Sequence, residues 1–255
     1  MNYSKELTVA KRIALRAGEI ILEYFDGDQD MQKKEDGSPV TKADILVNEL
    51  VITELSKSFP EDGIIGEEKS TTDYGLGRKW LCDPIDGTVG FVWGTPTAMF
   101  SLALVIDGVP VLGIAYDAFL KRMYEGVVEQ GSFCNAVKLQ VSEKELPGGH
   151  VAVTSDVTKI RSIAYVEKLQ KAGAYLPVFS GAVYKSCLIA RGKFEGYIED
   201  GVGAHDMAAM QVIVGEAGGK ITGIHGNRLD YSKPFKGAIV SNGKIHAELV
   251  KIVSD

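Results

Sequence analysis

Histidine and cysteine are scarce in this 255-residue chain, with four of the first and three of the second. His150, His205, His225 and His246 never fall into a His-x-x-x-His pair, so a zinc site is not expected. Cys82, Cys134 and Cys187 are odd in number, far apart and set in apolar surroundings. They read as reduced core thiols of a cytoplasmic protein, not as a disulfide framework. No apolar run approaches the roughly 20 residues needed to cross a bilayer. The segment Met1 to Lys11 carries Lys5, Glu6 and Lys11, and an apolar leader is not expected there. Positive charge is not in excess either: 28 Lys and Arg stand against 34 Asp and Glu, scattered along the chain, for a net charge of −6. A nucleic-acid partner is therefore not expected, because phosphate backbones need a basic face. A small anionic substrate stays open, since bound cations can reverse a local field.

Several nucleotide and nucleophile motifs are also missing. Gly75-Leu76-Gly77 is followed by Trp80 where a dinucleotide fingerprint needs its third glycine. Gly219-Lys220 leads into Ile221 where a P-loop needs Ser or Thr, and no Gly-x-Ser-x-Gly elbow occurs. Asp26, Asp28 and Asp30 alternate like the start of an EF-hand, but Met31 and Gly37 occupy its Gly and Glu positions.

What is present reads as a globular chain, 45% hydrophobic and 24% charged, large enough for one domain or two joined halves. Apolar residues at helical spacing predict a helix over Lys5–Tyr24, ended by Asp26-Gly27, and a second over Thr41–Ser58, stopped before Pro60. Between them lies a charged polar stretch, Gly27–Pro39. Its part Gln32–Ser38, with Lys33 and Lys34, is a candidate lid. Strand-like runs follow at Lys79–Cys82, Ala98–Ile106, Val111–Tyr116 and Arg122–Val128, with Asp107-Gly108 as a hairpin signal. This half predicts an antiparallel sheet flanked by the two helices. After Pro147 strands and helices alternate. Val151–Ser155, Tyr175–Phe179, Phe194–Glu199 and Ala238–Ser241 read as strands, and Lys159–Ala172, Val183–Arg191, Asp206–Ala217 and Lys244–Val253 as helices. Leu146-Pro147-Gly148-Gly149 divides the chain into 1–147 and 148–255.

The acids carry the functional signal. Trp80-Leu81-Cys82-Asp83-Pro84-Ile85-Asp86-Gly87-Thr88 runs an apolar strand into a turn with two carboxylates three positions apart. Pro84 fixes one backbone angle and Gly87 permits a tight path, so both carboxylates and the Ile85 carbonyl can converge on a hard cation. Asp-Pro and Asp-Gly also form plain turns, which is the competing reading. Ile64-Ile65-Gly66-Glu67-Glu68 sets two acids after an apolar run, as an exposed acidic loop also does. Asp206 opens a helix closed by Glu216-Ala217-Gly218-Gly219, where it fits an N-cap, a place that also favours anions. Thr41 and Asp44 fit a capping box.

Taken in order, Gly-Glu-Glu at 66–68, Asp-Pro-Ile-Asp-Gly-Thr at 83–88, and Asp-x-Ala-Ala before Glu-Ala-Gly-Gly resemble the inositol monophosphatase family of lithium-sensitive, magnesium-dependent phosphatases. The likeness also takes in Val40–Asp44 and Ile239–Asn242, and so spans nearly the whole chain. It implies an α+β fold, a layered αβαβα sandwich, usually a homodimer. It further implies hydrolysis of inositol monophosphate or a similar small polyol phosphate by metal-activated water, with two or three Mg2+ ions. Carried over by residue, Glu67, Asp83 and the Ile85 carbonyl correspond to ligands of one ion, and Asp83, Asp86 and Asp206 to ligands of a second. A third, weaker ion lies near Glu67. Thr88 with Asp44 resembles the couple that orients the attacking water, and Glu67 is assigned a catalytic share. Gly87 and Thr88 correspond to phosphate-binding N–H groups, with Asp86 and Asp206 beside the substrate. Ser180-Gly181-Ala182 and Glu199 correspond to contacts with the alcohol; Glu199 also reads as an exposed strand-end acid.

Three departures bear on substrate. His205 stands where most members have Trp, and it reads as a packing residue, not a ligand. Val89-Gly90-Phe91 resembles the form in relatives that cleave nucleotides and histidinol phosphate. Trp93 replaces a frequent His. Histidinol phosphate, a 3′,5′-bisphosphate nucleotide and fructose 1,6-bisphosphate are the alternative substrates; a metal-binding regulator without catalysis is the alternative of another class.

Overall fold

Alternation along buried strands decides the architecture. The computed structural model describes residues 2–27, 30–34, 39–154, 160 and 163–255. The first half runs α1 (Ser4–Phe25), β1 (Gln32–Lys33), β2 (Pro39–Val40), α2 (Lys42–Ser58), β3 (Gly63–Gly66), β4 (Arg78–Asp86) and α3 (Thr88–Val92). It continues through β5 (Met99–Ile106), β6 (Val109–Asp117), β7 (Arg122–Val127), β8 (Gly131–Cys134) and β9 (Val137–Lys138). The second half holds β10 (Val151–Ala152), α4 (Ala164–Lys171), α5 (Ala182–Ala190), β11 (Gly196–Glu199), α6 (Ala204–Glu216), β12 (Lys220–Gly223), β13 (Ala238–Ser241) and α7 (His246–Ser254).

Strands β3 to β9 form a seven-stranded sheet in sequence order, antiparallel except for the parallel β3–β4 pair. Successive side chains of a strand point to opposite faces, and both faces here are covered. Ile64, Trp80, Cys82, Phe100, Leu102 and Leu104 pack with α1 and α2. Their neighbours Ile65, Leu81, Met99, Ala103 and Val105 pack on the other face, with α5 and α6. The second sheet has the order β10-β11-β13-β12 and covers the far side of α5 and α6. Its outer face meets α4 and α7 through Val151, Ile198, Ile239, Leu169 and Leu249. The layers are therefore helix, sheet, helix, sheet, helix: the expected αβαβα sandwich. The middle helical layer draws its core residues from both halves of the chain.

Local signals placed most elements of the first half. Val9, Ala10, Ile13, Ala14, Ala17 and Ile21 form the buried stripe of α1. Asp107 and Gly108, at φ 50° and 77°, supply the two positive angles of the β5–β6 hairpin. Gly113 on β6 matters for the site. A Cβ there would lie 2.4 Å from the Ala209 carbonyl oxygen, so its absence lets α6 lie directly on the sheet.

Two expectations need correction. Tyr175–Phe179 is not a strand: Tyr175 makes one isolated bridge to His150 and the segment then runs irregularly, because Pro177 has no N–H to give a ladder. The polar stretch after α1 contains a short antiparallel ribbon, β1 on β2. Residues 35–38 of the expected lid, Ser155 of the expected strand, and Lys159, Arg161 and Ser162 of the expected helix lie outside the described residues.

Candidate metal centre and active site

The acids of β4 are aimed by an irregularity in its pairing. β4 pairs with β5 in register from Arg78↔Ile106 to Asp83↔Ser101, then shifts until Asp86↔Met99. Pro84 has no donor to offer, so the ladder breaks and the bulge re-aims the strand end. Asp83 and Asp86 are both buried there, at 1% and 4% exposure. Asp86 is held rigidly: its Oδ1 accepts from Ala182 N–H (2.9 Å) and its Oδ2 from Val183 N–H (2.8 Å), the first two donors of α5.

Asp206 arrives from α6. The helix begins at Ala204 with Gly203 as N-cap, so Asp206 is its third residue and not the expected cap. Its Oδ2 reaches back to the Gly203 N–H (2.6 Å). Oxygen atoms of Asp83, Asp86 and Asp206 lie within 4.8 Å of one another. Three carboxylates so close, two of them buried, resist ionising together. Burial, reinforced by Glu67, Asp86 and Asp206, pushes Asp83 well above the usual carboxylate range. Burial and the charge of Asp206 raise Asp86 to about 7, despite the two N–H donors. Burial also raises Asp206, against the pull of His205. His205 Nε2 lies 3.6 Å from Asp206 Oδ2 and stands beside this acid, partly exposed.

The remaining expected residues surround this triad. Thr41 caps α2 and Asp44 completes the capping box, accepting from Thr41 N–H (2.8 Å) and Thr41 Oγ1 (2.5 Å). Asp44 Oδ1 faces Thr88 Oγ1 at 3.5 Å, so one residue serves both the cap and the site. Burial lifts Asp44 to about 6. Thr88 Oγ1 also donates to the Ile85 carbonyl (3.0 Å), the oxygen expected to face a cation. Glu67 lies outside the three-acid cluster but close enough for its charge to raise Asp83. Its carboxylate pairs with Lys34 at 2.7 Å, and the same ammonium reaches Glu68 at 2.6 Å. Burial works against that ammonium, yet Glu67 and Glu68 hold its pKa above the usual lysine value.

A cradle of backbone closes the other side. Gly87, at φ 83°, is the N-cap of α3, and a Cβ there would meet Gly181 Cα at 3.0 Å. Thr88 and Val89, the first two residues of α3, have N–H groups with no intrahelical acceptor, as at any helix start. Ser180 Oγ accepts from Gly90 N–H (3.3 Å). Ala182, expected to offer backbone to a substrate, has its N–H engaged by Asp86. Glu199, at the end of β11, is raised by burial and drawn back by Lys185 and a Thr154 hydrogen bond. Three participants escaped the sequence reading: Val183 as an Asp86 donor, Lys34 as the partner of Glu67, and Lys185. Only Lys185 left a signal, a lone charge in the apolar helix Ala-Val-Tyr-Lys-Ser-Cys-Leu-Ile-Ala.

The donor set suits a hard divalent cation. It is all oxygen, and the buried Asp83 Oδ1 has no hydrogen-bond partner, an orphan that a cation would satisfy. The fold and this acidic cluster together define a mixed α/β sandwich with a candidate metal site. A profile of the inositol monophosphatase family matches residues 2–255, and the chain belongs to that family. With the family comes the scaffold of a metal-dependent phosphomonoesterase. Among similar proteins, a histidinol-phosphatase of Mycobacterium tuberculosis is 32% identical over 259 residues, covering 96% of each chain. A fructose-1,6-bisphosphatase/inositol-1-monophosphatase of Thermotoga maritima is 28% identical over 246 residues, covering 96% of this chain and 94% of its own. The solved IMPase structure from Thermotoga maritima superposes with a TM-score of 0.89 at 27% identity, over 98% of this chain and 96% of that one.

Proposed function

We propose that the protein is a Mg2+-dependent phosphomonoesterase that hydrolyses inositol monophosphate or a similar small polyol phosphate. The observation that carries this reading is the triad of buried Asp83 and Asp86 and partly exposed Asp206, with its orphaned oxygen, set against the cradle at Gly87 and Gly181. Glu67, Asp83 and the Ile85 carbonyl would hold one Mg2+, and Asp83, Asp86 and Asp206 a second. A third would bind near Glu67. The bound cations supply neutralisation of the ester's charge and a lowered pKa for water. The protein's own part is positioning. Thr88, paired with Asp44, orients and activates the attacking water. The N–H groups of Gly87 and Thr88 receive the phosphate, while Ser180, Gly181, Ala182 and Glu199 face the alcohol. The expected test is Asp86→Asn, which removes one carboxylate from the triad; Mg2+-dependent phosphate release should fall by several orders of magnitude. Undiminished activity would count against the reading.

A second substrate reading has its own support. His205 lies beside Asp206, and Trp93 at the end of α3 is 73% exposed, which suits an aromatic or heterocyclic alcohol such as histidinol or a nucleoside. The related proteins divide between inositol, fructose-bisphosphate and histidinol phosphatases, so family membership does not choose. A panel of inositol 1-phosphate, histidinol phosphate, adenosine 3′,5′-bisphosphate and fructose 1,6-bisphosphate, with and without Mg2+, decides. Strong preference for inositol phosphate retires the second reading. Cleavage of none of them, with intact Mg2+ binding, favours the non-catalytic regulator.

The same proposal includes a homodimer in the cytoplasm, inhibition by lithium, and two halves divided near Leu146–Gly149. The three free cysteines suit a reducing compartment. No helix among the described residues is long and apolar enough to cross a membrane. Light scattering of the purified protein tests the dimer.

A further inference from the structure

Lys185, the fourth residue of α5, is 1% exposed, and ammonium groups are almost never so buried unless paired. Its Nζ donates to the Val153 carbonyl at 3.0 Å and stands 4.7 Å from the centroid of the Tyr197 ring and 5.7 Å from that of Phe179. Packing alone needs no charge there, since the rest of α5 is apolar or small. The surroundings lie directly beneath the site. Three and two residues before Lys185, the N–H groups of Ala182 and Val183 grip Asp86. Tyr197 and Glu199 alternate onto one face of β11. Val153, which receives Lys185, is followed by Thr154, which bonds Glu199. Burial draws the Lys185 ammonium below the usual lysine range, and the charges of Glu199 and Asp86 are what act against that and hold its proton.

We propose that Lys185 is a positioning residue, a built-in cation under the cleft that fixes Glu199 as a charged acceptor for hydroxyls on the alcohol half of the substrate. This rests on the reading that the site cleaves phosphate esters with Glu199 facing the alcohol. Glu199 is partly buried, and its carboxyl already accepts from Thr154 and from the Gly201 N–H. Without a cation behind it, burial favours the protonated form, which loses half its capacity to accept. With Lys185 behind it, Glu199 accepts at both oxygens and favours a polyol over an apolar alcohol. The same positive charge repels a cation at Asp86. Removing it therefore acts in opposite directions at the two ends of the cleft: polyol binding weakens and Mg2+ binding tightens. A role limited to supporting α5 would weaken both, because the first turn of α5 holds Asp86.

The test compares the wild-type chain with Lys185→Met and Lys185→Arg. Mg2+ binding is measured by calorimetry without substrate, and kcat and KM on inositol 1-phosphate and on p-nitrophenyl phosphate, which has no hydroxyls. Lys185→Met should raise KM for inositol 1-phosphate about tenfold or more, the loss expected for a hydrogen bond to a charged group, with kcat and the aryl ester little changed. Its Mg2+ dissociation constant should fall by roughly threefold or more, and Lys185→Arg should restore both. Equal losses on both esters, weaker Mg2+ binding, or no change would overturn the proposal. Should Lys185→Met not fold, Lys185→Gln takes its place, and Glu199→Gln must reproduce the KM change without the Mg2+ change. If the wild type cleaves neither ester, the phosphatase reading fails, while the calorimetry still tests the cation: unaltered Mg2+ affinity in Lys185→Met refutes it.

Discussion

Without metal, this protein should become less stable as pH rises from 5 to 8, the reverse of ordinary acid denaturation. The cause is the cluster of acids whose folded pKa lies above the unfolded value. Asp44 moves from 3.8 to about 6 and Asp86 from 3.8 to about 7, each chiefly by burial. A carboxyl of this kind binds more protons folded than unfolded. Its stabilising contribution is complete below the unfolded pKa and is lost as pH passes the folded one. Between pH 5 and 8 about 1 kcal/mol is lost at Asp44 and about 3 kcal/mol at Asp86. His246, which burial depresses to about 4, works the other way and returns about 2 kcal/mol over the same window, since its proton is held more tightly in the unfolded chain. For a chain of this size, the net loss of about 2 kcal/mol moves Tm by roughly 4–8 °C. Glu54, held below the usual range by Arg16, titrates beneath this window and does not disturb it. The assay is thermal unfolding in EDTA and in saturating Mg2+ at pH 5, 6, 7 and 8. The EDTA curve should fall by that amount, and the Mg2+ curve should stay flat or rise, because a cation binds only the ionised acids. An EDTA curve that climbs from pH 5 to 8 would refute the buried, mutually repelling cluster.

Three substitutions probe the surroundings. Gly87→Ala places a Cβ 3.0 Å from Gly181 Cα at a φ of 83°, so activity should be nearly abolished and unfolding eased by about 1–3 kcal/mol; wild-type kcat in a steady-state assay would contradict this. Thr41→Ala deletes the cap of α2 and one donor to Asp44, which should cost about 1–2 kcal/mol in urea unfolding and lower kcat without altering KM. Lys34→Met frees Glu67 from its ion pair, so half-maximal activation should need several-fold less Mg2+; an unchanged Mg2+ titration would show that Lys34 and the cation do not compete.

The acids were legible in the sequence because turn chemistry is local. Pro84 and Gly87 announce an interrupted strand, and the interruption is what turns Asp83 and Asp86 inward. Helix α1 and the Asp107-Gly108 hairpin were readable for the same reason: period and positive φ are properties of a few neighbouring residues. Tyr175–Phe179 misled because its aromatic and branched side chains suit a strand while Pro177 denies it a ladder. The grip of Ala182 and Val183 on Asp86 spans 96 and 97 residues, and the pairing of Lys34 with Glu67 spans 33. No periodicity encodes such meetings. Only the layering of α5 on the first sheet, and the placement of the segment after β1 beside Glu67 and Glu68, brings them about.

The most direct measurement is a crystal of the protein soaked in Mn2+, with diffraction recorded at the manganese edge. Anomalous peaks should appear within about 2.3 Å of oxygens from Asp83, Asp86 and Asp206, and the peak bounded by Asp86 and Asp206 should vanish in Asp86→Asn. A map whose peaks lie only at surface acids, with the three carboxylates still bare, would contradict the metal centre and the phosphatase chemistry built on it.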